Sequence, residues 1–127
     1  EFKPHMCGIG PFIPHKDTIF NKENNGSAEL TCYLLSIIRI MHPHILLPAT
    51  TALGTVDADG REQGILSGAN VIMPNLSPES VRKKYDIYDN KLSSGAESAE
   101  KLNELKIRMN KIGYEIETTR GDVKGEY

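Results

Sequence analysis

Three short apolar runs, each bounded by glycine or proline and separated by stretches of helical spacing, constrain this chain more than any other feature. They are Met6 to Ile13, "ILLPATTALG" from Ile45 to Gly54, and "ANVIMP" from Ala69 to Pro74. Runs so brief and so uniformly apolar predict strands buried on both faces, the habit of a parallel sheet. Between the first two, "SAELTCYLLSIIRIMHP" repeats Leu30, Leu34, Ile37, Ile38 and Met41 at helical intervals. Ser27 suits its N-cap, Glu29 its first turn, and Pro43 its stop. The stretch "GREQGILSG" allows about two turns, with Ile65 and Leu66 inward and Gly68 as the end. Ser77 and Pro78 then open a helix over "ESVRKKYDIY", followed by a polar loop "DNKLSSGAES". Finally Leu102, Leu105, Met109 and Ile112 step along an amphipathic helix that Gly113 closes, before a tail "TTRGDVKGEY" that is expected to fray.

That alternation of strand and helix predicts an α/β fold with a parallel sheet and right-handed crossovers. Three parallel strands leave both edges unpaired, so further strands should flank them. The chain is therefore expected to be the last part of a larger barrel or open sheet. Its opening, "EFKPHMCG", has no initiator Met and enters the first apolar run almost at once, which gives the same expectation.

Composition narrows the setting. Fifteen basic against seventeen acidic residues, a net charge of -2, provide no electrostatic footprint for a nucleic-acid backbone or an anionic membrane. The longest strongly apolar run, "LLSIIRIM", is interrupted by Arg39 and is too short to cross a bilayer, and no basic-then-apolar signal segment precedes it. Cys7 and Cys32 are the only cysteines and form neither a disulfide framework nor a metal spacing. A reducing, cytoplasm-like compartment is expected, with both thiols acting as small buried hydrophobes.

In parallel α/β folds the chemistry gathers at the carboxyl ends of the strands, here "GPFIPHKDT", "ATTALGT" and "MPNLS". Alternation puts Met6, Gly8 and Gly10 on one face of the first strand and Cys7 and Ile9 on the other. The glycine face is either a bare floor for a flat ligand or a relief of crowding in a tight centre. It is not a phosphate loop, because "GIGPFI" lacks the third glycine of a dinucleotide fingerprint and Pro11 deletes a needed N–H. Thr50 and Thr51 could hydrogen-bond a small polar ligand or simply cap a strand end, and Asn75 has the same two readings. His42 and His44 flank Pro43 at a helix end, where the dipole favours them more than a metal does. His15 and Asp17 read as a turn rather than a catalytic dyad. The charged helix from Glu97 to Lys111 reads as a solvated face with its apolar stripe inward.

The strand ends "GIGPFIPHKDT", "LPATTALGT", "GRE" and "GANVIMPNLSP" together resemble the HydE family of radical S-adenosylmethionine proteins, which help to mature [FeFe] hydrogenase. The likeness runs from about Met6 to Lys91. "SGAN" and "GRE" also carry a looser kinship with the biotin and thiamin synthesis associated region of biotin synthase. The resemblance implies a TIM-type (β/α)8 barrel of the radical S-adenosylmethionine class, of which this chain would be the C-terminal part. Residues 1–92 would form the last three βα units and residues 93–127 a terminal helix and tail.

Through the resemblance, Met6, Thr50, Thr51, Met73 and Tyr85 map to a substrate cavity, and Gly10, Pro11, Phe12 and Ile13 to the loop against the adenosyl moiety. The family's cofactors are S-adenosylmethionine and one [4Fe-4S] cluster held by a C-x3-C-x2-C loop. Neither cysteine here belongs to such a triplet, so the chain is not expected to be active alone. The implied partners are the missing part of the barrel, other hydrogenase maturases and a small organometallic iron substrate. The implied location is the cytoplasm, or a hydrogen-producing organelle in a eukaryote. "DTIF" departs from the family's prolyl turn, and the tail after Ser93 has no cysteines for an accessory cluster. The alternatives are a biotin synthase-like enzyme, although "PATTALG" lacks the arginine expected near an auxiliary cluster, a non-catalytic half-barrel that binds or assembles with another chain, and a self-sufficient α/β domain.

Overall fold

The computed structural model describes residues 4–74, 78–82 and 102–123. Five helices are present among them: α1 (Ala28–Met41), α2 (Thr51–Val56), α3 (Gly60–Leu66), α4 (Glu79–Arg82) and α5 (Leu102–Lys111). The expected α/β barrel fragment is not found. The described residues are helical and irregular and contain no β-strand, only two isolated parallel bridges, Met6 with Leu46 and Pro48 with Val71.

Backbone chemistry explains why pairing goes no further. Cys7 N–H donates to the Leu46 carbonyl and Leu46 N–H to that of His5, each at 3.0 Å. The next rung in that register needs an N–H at position 48, and Pro48 has none. On its other side, Leu47 N–H is taken by the side-chain Oδ1 of Asn70 at 2.8 Å, while Ala49 N–H reaches the Val71 carbonyl at 2.9 Å. The following residue, Thr50, is already a helix cap, its Oγ1 accepting from Leu53 N–H at 3.3 Å. The run "ILLPATTALG", expected to be one strand to Gly54, therefore becomes a bridge followed by α2.

The helices follow the sequence more closely. Ser27 Oγ accepts from Leu30 N–H at 3.0 Å and starts α1, which ends at the His42 C-cap before Pro43. Gly68, at φ +109°, closes the chain after α3, and Gly113, at φ +85°, does so after α5, as left-handed positions favouring glycine should. For the helix expected after Ser77, only Glu79–Arg82 lies within the described residues.

The core forms where the bridges meet α1, α3 and α5. Leu35, Ile45, Leu47, Ala49, Leu53, Ile65, Ala69, Leu105 and Met109 are buried in one cluster. Polar ties hold the layers together. Ser36 Oγ donates to the Ser67 carbonyl at 2.9 Å, joining α1 to the end of α3. Arg108 forks onto Glu62, its Nη2 lying 2.7 Å from Oε2, and joins α5 to α3.

Candidate functional site

The alternation expected along the first apolar run is seen in space: Cys7 and Ile9 pack against the core, whereas Met6, Gly8 and Gly10 face away from it. Gly10 answers its own question. A Cβ placed there would fall 2.6 Å from Thr50 Oγ1, so the bare backbone accommodates the hydroxyl that caps α2. Thr51 opens the same helix, with Arg61 Nη2 at 3.5 Å from its Oγ1. Pro11 is buried, Ile13 half-buried, and Phe12 exposed with its ring edge-on to Phe20 at 6.0 Å. Gly26 clamps this loop by donating to the Phe12 carbonyl at 2.7 Å, and a Cβ on Gly26 would meet Phe12 N at that same distance.

Met6 and Met73 sit elsewhere, 42% and 49% exposed, on an open cleft of about 740 Å³. Leu46, Val71 and Ile72 line it as well, and residues 114–117 and 119–122 form its far side. The structure thus gathers the proposed site residues into two groups, Gly10 with Thr50 and Met6 with Met73. Neither threonine nor the loop from Gly10 to Ile13 lines the cleft. Tyr85 and Asn75 lie outside the described residues.

A substrate and adenosyl cavity formed by a half-barrel is therefore not supported. No barrel is present among the described residues, and no group of three His, Cys, Asp or Glu side chains there could hold a metal ion. The metal-binding and barrel expectations fall together, and the assembly half-barrel falls with them. The family's cluster does not fit these residues. Cys7 and Cys32 are both half-buried against the core, and they are the only thiols in the sequence. The described residues thus offer no ligand set for the cluster.

His15 and Asp17 form a turn: Asp17 N–H donates to His15 Nδ1 at 3.1 Å, and Thr18 N–H to the His15 carbonyl at the same distance. Among the described residues no helix is long and apolar enough to cross a membrane.

Three polar residues matter more than their sequence context announced. Arg61, only 2% exposed, lies in the "GRE" stretch, and a guanidinium beside two packed glycines was the available signal. Arg39 interrupts an apolar run because its Nε donates to the Gly68 carbonyl and its Nη1 to that of Pro43, both at 2.8 Å. Burial lowers the pKa of its guanidinium. Asn70 substitutes its side chain for a backbone acceptor at Leu47.

No protein-family model matches the chain. Over 87 residues, 68% of its length, it is 47% identical to the [FeFe] hydrogenase maturase subunit HydE of Thermotoga maritima. That alignment covers 25% of the curated relative, so the chain spans about a quarter of the protein it matches.

Proposed function

We propose, from this chain's homology to the HydE family of radical S-adenosylmethionine hydrogenase maturases, that it serves [FeFe] hydrogenase maturation as a cluster-free portion working with a cluster-bearing polypeptide. The observation that carries this reading is the 47% identity over 87 residues. Two cysteines in the whole sequence cannot supply the family's three-cysteine loop, which supports assigning the radical-generating step to the companion. In this reading S-adenosylmethionine and the [4Fe-4S] cluster belong to that companion. A small organometallic iron species is its substrate, and the other hydrogenase maturases are its partners. The cytoplasm, or a hydrogen-producing organelle, is the place of action.

What the described residues contribute is mechanical. The Glu62–Arg108 fork, the Arg39 contacts and the Ser36 tie fix α1, α3 and α5 around one core, presenting the Met6–Met73 cleft in a set shape. The test is a chimera in which the 87 homologous residues of the Thermotoga maritima protein are replaced by those of this chain, assayed for active hydrogenase alongside the other maturases. Retained maturation is the expected result. A chimera that folds and keeps its cluster but yields no active hydrogenase overturns the proposal.

A further inference from the structure

Asn25 is the only asparagine in the sequence that precedes a glycine, and it is exposed in the loop that leads into α1. Asparagine amides are chemically labile, and the residue that follows sets how readily the backbone can attack them. Gly26 has no Cβ to shield its nitrogen, the least hindered nucleophile that can follow an asparagine. Every other asparagine is followed by a residue that carries a side chain. The Gly26 nitrogen is also held in place. Its N–H donates to the Phe12 carbonyl at 2.7 Å, and a Cβ on Gly26 would meet Phe12 N at that same distance, so the two backbones touch. The Phe12 ring rests edge-on against Phe20, whose carbonyl accepts from Glu23 N–H at 3.0 Å, and the clamp thereby closes the loop on itself.

We propose that Asn25 is a site of spontaneous deamidation and that the Gly26–Phe12 clamp sets its rate. In the reaction the Gly26 nitrogen attacks Asn25 Cγ, the C–NH2 bond breaks, and the proton of the Gly26 nitrogen leaves with the amide as ammonia. The cyclic imide that results takes up water at either carbonyl and opens to aspartate or isoaspartate, with no change of oxidation state. A hydrogen bond to the neutral N–H opposes loss of its proton, so the attack proceeds from the opened loop. The two products differ in what they do to that loop. Aspartate leaves the backbone path unchanged and adds a negative charge just ahead of the Ser27 cap, where the α1 dipole favours it. Isoaspartate routes the backbone through the side-chain carbons, lengthens the path to the Gly26 nitrogen, and takes its N–H out of register with the Phe12 carbonyl. Formation of isoaspartate therefore releases the loop between Phe12 and Gly26.

The inference does not depend on the maturase reading. It is tested by holding the 127-residue chain at mildly alkaline pH, folded and in denaturant, and mapping deamidation by peptide mass spectrometry. In the folded chain Asn25 should react before any other asparagine, at a rate roughly ten- to a hundredfold below its rate in denaturant. Phe20→Ala removes the ring against Phe12 and leaves the reacting residues in place. It should raise the folded-state rate by about threefold or more and leave the denatured rate unchanged. Thr18→Ala, which removes the hydroxyl that accepts from Phe20 N–H at 3.3 Å, gives the same reading by a second route. Helical circular dichroism checks that each variant is folded. An Asn25 that stays intact in the folded chain, or that reacts after another asparagine, overturns the site. Equal rates in the folded and denatured chains, or a folded-state rate indifferent to both variants, overturn the clamp.

Discussion

Helices α1 and α5 flank the same core and solve the same problem differently. α5 buries Leu105 and Met109 and gives solvent Asn103, Glu104 and Asn110, with Ile107 as its lone large exposed hydrophobic. α1 buries Thr31 and Leu35 and then turns a second apolar stripe outward. A single amphipathic stripe is what a helix needs to join a core. Among the described residues the second one stays outside the core, so the contrast separates the face of α1 that joins the core from the face that does not.

The largest effect that sharpens this contrast is Leu35→Ala. It removes a fully buried side chain and should cost about 3 kcal/mol, whereas Leu34→Ala beside it should cost well under about 1 kcal/mol. Chemical denaturation of the two variants checks the pair, and equal losses would break the division of α1 into two faces. Next comes the tie between α5 and α3. Arg108→Ala should destabilise by roughly 1–2 kcal/mol, since the partly exposed guanidinium both forks onto Glu62 and reaches the Ala58 carbonyl at 3.1 Å. A double-mutant cycle with Glu62→Gln isolates the shared part. Ser27→Ala, which removes the α1 cap, should cost about 1 kcal/mol and show as fraying of the first turn in amide exchange. The smallest effect is expected at the outer stripe: Ile40→Gln should shift stability by less than about 0.5 kcal/mol. A large loss there would mean that the stripe is part of the core after all.

The sequence made helices legible where caps and periodicity agreed. Ser27, Pro43, Gly68 and Gly113 each sit at the boundary that local chemistry predicts. The same reasoning missed α2, because "TALGTV" is short and apolar and its only signal is Thr50, read as a strand end although its hydroxyl caps a helix. The sheet was overestimated for a related reason. Apolar composition identified which segments lie side by side, and His5 to Cys7, Leu46 to Ala49 and Asn70 to Val71 do hydrogen-bond in parallel. Composition does not report the missing donor of Pro48 in the register where it matters. Of the candidate site, the Gly10 and Thr50 neighbourhood was legible as a close approach, with the approaching group left open between a ligand and the chain itself. The Met6–Met73 pairing required the family resemblance, since no spacing along the sequence brings positions so far apart onto one cleft.

The proline in the second apolar run has a consequence beyond the native state. Without its proline, "ILLPATTALG" would be the kind of uncharged, largely apolar segment that self-stacks into fibrils when a nascent or partly opened chain exposes it. Each added layer in such a stack must donate from every residue of the segment to the layer beside it, and position 48 cannot. The residue that limits the native pairing to single bridges therefore also acts as a gatekeeper, making this buried stretch a poor seed for aggregation.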